Sequence, residues 1–234
     1  MDILSEFTVI AYVLLSAINV WAVFNQKWML FSVTKPILML VLLTVYLLNS
    51  SSVLISVIIA LFFAWLGDLF LLSRQQGVEK DAKKLFSSIK NTISIGGFAF
   101  VICHIFYILT FYHIGAFNFQ WKLYVIIIIY VTIGMLFYAG YTRGFAGLNK
   151  FMKVGIGVYV FAILMMSFSS TLIVNPDNPN TLIPFIGSIL FILSDSLLAI
   201  SYKTKNTLIY HPWVMASYLT AQFLIIMGLL FLGF

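Results

Sequence analysis

Phe62-Phe63-Ala64-Trp65-Leu66-Gly67-Asp68-Leu69-Phe70-Leu71-Leu72 is apolar throughout except for one acid, Asp68. A second stretch, Ile189-Leu190-Phe191-Ile192-Leu193-Ser194-Asp195-Ser196-Leu197-Leu198-Ala199, repeats the design around Asp195. In both, a small residue precedes the aspartate and hydrophobic residues flank the pair. Two of the chain's seven acidic residues stand in such surroundings. An ionisable group inside hydrocarbon-like sequence is costly to bury, so each aspartate is a candidate functional residue.

Composition around these stretches sets the class. The 234 residues are 62% hydrophobic and 9% charged, with net charge +6, and mean hydropathy is +1.08. A soluble domain carries about 25% charged residues. Apolar runs of about 18 or more residues recur along the chain, the mark of a polytopic helical membrane protein. The expectation is a single all-α membrane domain over residues 1–234, with no separate soluble domain and no basic n-region of a cleavable signal peptide. The lone Cys103, in an apolar run beside His104, reads as a buried core thiol.

Eight spans are expected, over residues 7–24, 28–48, 53–72, 92–112, 123–141, 154–174, 182–202 and 213–232. Each is long enough to cross a core of about 30 Å at about 1.5 Å per residue. Strand-type alternation is absent, which argues against a β-barrel. Trp28, Trp121 and Trp213 fall at span ends and read as interfacial residues. His113 and His211 fall in loops and read as solvated.

The basic residues orient the bundle. Lys27, the group Arg74, Lys80, Lys83, Lys84 and Lys90, the group Arg143, Lys150 and Lys153, and the pair Lys203 and Lys205 all fall in loops on one side. The opposite loops hold only Lys122, and the N-terminal tail carries Asp2 and Glu6. By the positive-inside rule the basic loops are cytoplasmic and both termini face the other side, as in a bacterial inner membrane or an endoplasmic reticulum. Without a Lys/Arg run, the positive charge reads as topology and headgroup contact, with no nucleic-acid partner.

Orientation gives depth. Asp68 lies about one turn and Asp195 about two turns from the same membrane face. Lys35, before Pro36 in the second span, shares that half, and His104 lies near mid-membrane. Four ionisable residues from four spans are thus expected at one cavity. The aspartate-bearing spans hold the same place in each set of four, as two parallel four-helix repeats would have them. Gly67 and Ser194 also have a plain reading, as small residues that let helices approach.

The ordered set Lys35-Pro36, Leu66-Gly67-Asp68-Leu69-Phe70-Leu71, Gly97-Phe98-Ala99-Phe100 with His104-Ile105-Phe106-Tyr107, Gly187-Ser188-Ile189-Leu190-Phe191 with Ser194-Asp195-Ser196-Leu197-Leu198-Ala199, and Tyr218 with Ala221-Gln222 resembles the YhhN-like lysoplasmalogenase family of integral membrane proteins. The likeness runs from Lys35 to Gln222; the long basic loop Arg74–Asn91 departs from it. It implies hydrolysis of the vinyl ether bond of a lysoplasmalogen, a lysophospholipid, to a fatty aldehyde and a glycerophospho-base, with no cofactor.

That chemistry needs a proton donor for the β-carbon of the enol ether, an anion facing the resulting oxocarbenium ion, and a means of steering water. Two nearby carboxylates divide the first two roles, because like charges at short range split their proton affinities. Glycosidases meet a related cation with two carboxylates. Asp68, Asp195 and His104 are the candidate catalytic residues, His104 as relay or water-orienting group. Lys35, Tyr107, Ser194, Tyr218 and Gln222 are candidate substrate-binding residues, Lys35 as a point charge for phosphate.

Each has a structural rival. The aspartates can be ion-paired struts, His104 an interhelical hydrogen bond, Lys35 an interfacial residue whose ammonium reaches water, and Tyr218 and Gln222 glue between helices. Asp68, Asp195 and His104 also offer three ligands to zinc, although no H-x-x-x-H pair is present. A proton-coupled carrier or a non-catalytic membrane regulator would bury similar groups.

Overall fold

The structure, a computed structural model, describes residues 3–72, 92–115, 121–144, 150–204 and 207–234. The basic loop Arg74–Asn91 and Lys205 lie outside the described residues. Every long element is helical, as hydrocarbon demands of a backbone that must satisfy its own hydrogen bonds. In chain order they are α1 (Ile3–Phe24), α2 (Trp28–Asn49), α3 (Ile55–Leu72), α4 (Thr92–Ile114), α5 (Trp121–Gly144), α6 (Lys150–Thr171), α7 (Leu182–Thr204) and α8 (Thr207–Phe231), with a 3-10 turn at Pro179–Thr181 before α7. Seven of these are long and apolar enough to cross a membrane; α5 carries a shorter apolar stretch, Ile126–Gly140.

Helix contacts run round a ring in the order α1, α2, α3, α4, α6, α7, α8 and back to α1, with α2 also touching α8. α5 lies outside it, packed chiefly on α6, where the Tyr130 and Ser167 hydroxyls meet at 2.8 Å. Ser188 on α7 meets Ser167 at 2.9 Å and Ser170 at 3.0 Å on α6. Such small polar pairs hold helices together where the hydrophobic effect gives no preference for protein over lipid.

Burial follows helical spacing and explains where the aspartates point. On α3 the buried residues are Val57, Ala60, Leu61, Ala64, Gly67, Asp68 and Leu72, one stripe at three- and four-residue steps that carries Asp68 inward. On α2 the stripe Phe31, Thr34, Lys35, Leu38, Leu42 and Val45 does the same for Lys35. On α7, Ser188, Phe191 and Ser194 form the buried edge, and Asp195 beside them is half-buried.

Two expectations are corrected at α8. Its helix begins at Thr207, six residues before Trp213. His211 is therefore not a solvated loop residue; it is buried, its ring 5.7 Å from that of Phe31. Trp213 lies inside the helix, edge-on to Phe24 at 5.9 Å, and not at a span end.

Candidate functional site

Asp68 and Lys35 reach each other from neighbouring helices. Lys35 Nζ lies 3.3 Å from Asp68 Oδ1, with side chains 4% and 3% exposed. The Tyr218 hydroxyl, from α8, donates to Asp68 Oδ2 at 2.8 Å and lies 3.6 Å from Met39 Sδ. Lys35 also sits over the Phe31 ring, 5.7 Å from its centroid. Asn19 on α1 donates to Thr34 Oγ1 at 2.8 Å, fixing the turn of α2 that presents Lys35. A buried charge pair of this kind holds only while both members remain, because either alone is an uncompensated ion in a low-dielectric interior.

Asp195 has a different partner. The Tyr159 hydroxyl, from α6, donates to its Oδ2 at 2.6 Å. The sequence reading missed Tyr159; among twelve tyrosines, nothing local marks it as the one that faces a carboxylate. Sequence alone also did not reveal Phe31 and Met39 as neighbours of the Lys35–Asp68–Tyr218 group.

An aromatic cluster adjoins the Asp68 group through Tyr218. Phe100, Phe191 and Tyr218 meet edge-to-face, with centroid distances of 6.3 Å, 5.9 Å and 5.4 Å around the trio. His104 packs on this cluster, 4.9 Å from Phe191 and 5.7 Å from Tyr159. It is fully buried, and among the described residues neither ring nitrogen has a hydrogen-bond partner. Among the described residues the interhelical hydrogen bond considered for it is absent, and its ring touches that of Tyr159, the partner of Asp195.

The four ionisable groups differ in their direct neighbours. Lys35, Asp68 and Tyr218 form one directly bonded group. Asp195, Tyr159 and His104 form the other. Tyr107 and Gln222 pair with each other at 2.6 Å between α4 and α8. Ser194 Oγ donates to the Val214 carbonyl at 3.1 Å, a bond that ties α7 to α8. Among the described residues no three His, Cys, Asp or Glu side chains form a metal-ligand cluster, so Asp68, Asp195 and His104 do not converge as zinc ligands. Cys103 is free and buried.

Chemically, one centre holds a carboxylate against an ammonium and a phenol. The other holds a carboxyl group against a phenol, with an imidazole close by. No curated protein and no solved structure matches the chain. The model of the YhhN family matches residues 30–229, a range that includes every site residue from Lys35 to Gln222. The chain belongs to the YhhN family.

Proposed function

We propose that this protein is a membrane-embedded hydrolase that cleaves the vinyl ether bond of a lysoplasmalogen by aspartate acid/base catalysis. The observation that carries the reading is the unequal pairing of two aspartates within apolar helices, Asp68 with an ammonium and Asp195 with a phenol. A cation beside Asp68 suits the ionised role, facing the oxocarbenium ion. A neutral partner beside Asp195 suits the protonated role, because a phenol holds a carboxylate ionised less strongly than an ammonium does.

In the reaction, Asp195 transfers its proton to the β-carbon of the enol ether, and the adjacent ether carbon becomes the oxocarbenium carbon. Asp68 stabilises that cation electrostatically in a site where charge interactions are poorly screened. Water adds to the cationic carbon and loses a proton to a carboxylate or to His104. The hemiacetal then collapses to fatty aldehyde and glycerophospho-base. Lys35 holds Asp68 ionised, the ammonium lying 3.3 Å from its Oδ1.

The architecture that accompanies this reading has eight spans, α5 included, with both termini on the non-cytoplasmic side. Its two halves are parallel repeats. Support comes from matching contacts: α1 with α2, α2 with α3, α3 with α4 and α4 with α6 recur as α5 with α6, α6 with α7, α7 with α8 and α8 with α2.

The test is aldehyde release from a 1-alkenyl lysophospholipid by purified protein in detergent, with 1-acyl and 1-alkyl analogues and a chelator alongside. Release from the alkenyl lipid alone, unaffected by chelator and lost in both Asp68→Asn and Asp195→Asn, is the expected result. Full activity in either variant removes that aspartate from the mechanism. Absence of release from well-folded protein turns attention to a proton-coupled carrier, assayed by uptake into proteoliposomes.

A further inference from the structure

Asn19 stands between Ile18 and Val20 on α1 and is fully buried. An amide taken out of water costs free energy unless it is hydrogen-bonded. Its Nδ2 donates to Thr34 Oγ1 on α2 at 2.8 Å and lies 3.5 Å from the Phe31 carbonyl oxygen. The Thr34 hydroxyl donates in turn to the Leu30 carbonyl at 2.8 Å. A hydroxyl has one proton, so the Thr34 oxygen accepts and the amide presents its amino group. The chain of donors therefore runs one way, from α1 into the backbone of α2. Asn19 itself lies before residues 30–229, the range of the family match.

The turn of α2 that receives this bond is one that a proline weakens. Pro36 lies inside α2. It has no N–H for the Ser32 carbonyl, and its ring presses on that carbonyl. The hydroxyls of Thr34 and Ser32 bond back to the preceding turn, at 2.8 Å and 2.7 Å, which bends a helix further. Lys35 sits between Thr34 and Pro36. Its ammonium ends 3.3 Å from Asp68 Oδ1 and 5.7 Å from the centroid of Phe31, the residue whose carbonyl Asn19 also meets. The attraction between charges falls with separation, so a rotation of this turn loosens the pair. The bond from α1 supplies a constraint that the backbone at Pro36 lacks.

We propose that Asn19 is a positioning residue for the acid/base site, acting through Thr34 to hold Lys35 on Asp68. As an effect on turnover this rests on the hydrolase reading; as a coupling to the ion pair it does not.

The experiment takes two readouts from the full-length protein in detergent. In the first, Asn19→Leu is made in the wild type and in Lys35→Met/Asp68→Leu, and unfolding is followed by the reactivity of the buried Cys103. Members of one network are non-additive, so the substitution is expected to cost less where the pair is already apolar. Equal losses in the two backgrounds make Asn19 a strut between α1 and α2 and overturn the proposal. In the second, Asn19→Leu is expected to lower kcat on the alkenyl lysolipid by about tenfold to a hundredfold with KM held within about twofold, as when an interaction needed in the transition state is lost. Thr34→Val, which deletes the acceptor on α2 and leaves α1 intact, is expected to repeat both results, and Thr34→Ser, which keeps the hydroxyl, to restore wild-type behaviour. Unchanged kcat in Asn19→Leu and Thr34→Val, with turnover still lost in Asp68→Asn, overturns the proposal and spares the hydrolase reading. If the wild type releases no aldehyde, the hydrolase reading fails and the unfolding comparison alone decides the coupling.

Discussion

Tyr159 on α6 donates to Asp195 on α7 at 2.6 Å, as Lys35 on α2 pairs with Asp68 on α3 at 3.3 Å. In each half of the chain the partner comes from the helix immediately before the aspartate's own. One partner is a cation and the other a phenol, so the two carboxyl groups stand in unequal electrostatic surroundings.

That inequality predicts unequal stability losses. Lys35→Met leaves a buried carboxylate unpaired, a loss of about 3–5 kcal/mol for a broken buried pair. Tyr159→Phe removes one hydrogen bond between helices, about 0.6 kcal/mol on average in membrane proteins. Unfolding in detergent, followed with a thiol-reactive fluorophore, reads both, because the chain's one cysteine, Cys103, is buried until the fold opens. The double variant Lys35→Met/Asp68→Leu is expected to recover most of the loss. Equal losses for Lys35→Met and Tyr159→Phe would mean the ion pair carries no special weight.

Tyr218→Phe keeps the ring that packs against Phe100 and Phe191 and deletes the donor to Asp68. A hydrogen bond to a charged group contributes about 1.5–3 kcal/mol. If it acts in the transition state, kcat on the alkenyl lysolipid falls by about tenfold to a hundredfold. Turnover within twofold of wild type would leave Tyr218 a strut between α8 and α3.

His104→Phe separates packing from chemistry. The imidazole touches Phe191 and Tyr159 as an aromatic ring, and among the described residues its nitrogens have no hydrogen-bond partner. Phenylalanine preserves the contact and removes two buried polar atoms, so the unfolding temperature should hold or rise. Aldehyde release should fall sharply if the imidazole handles a proton. Retained stability with retained activity would sink the catalytic role.

Gly67→Ala tests the approach of α3 to α4. A Cβ there lies 2.6 Å from Phe100 Cε2, and Phe100 is held by Phe191 and Tyr218. Overpacking of this kind costs about 1–3 kcal/mol, and the displaced ring should disturb Tyr218 and with it Asp68. Gly97→Ala has nothing within 4 Å of its Cβ and is expected to hold or gain stability, because alanine favours a helix by about 1 kcal/mol over glycine. Comparable losses at both positions, in the same unfolding assay, would contradict the close contact.

Helix starts show how far local pattern reaches. Trp213 looks like a membrane-edge residue, yet α8 extends six residues further toward the N-terminus, through Pro212 to Thr207. Hydropathy weakens at His211-Pro212, and only the packing of His211 on Phe31 shows that this turn belongs inside. Lys35 was legible as a candidate because a lysine in an apolar span needs a partner. Tyr159 was not, because a tyrosine suits a membrane helix whether or not it meets a carboxylate.

The chain by itself determined the class, the helices and the choice of aspartates. Long apolar runs must be helical in hydrocarbon, and an acid within them stands out by its burial cost. Its ordered motifs, from Lys35 to Gln222, also carried the resemblance that the YhhN match bears out. The partners were decided only by tertiary structure. A helix presents residues on every side, and which side meets which neighbour depends on how the ring closes. That closure set Lys35 and Tyr218 on Asp68, gave Asp195 to Tyr159, turned Ser194 to a backbone carbonyl, and left His104 between the rings of Phe191 and Tyr159.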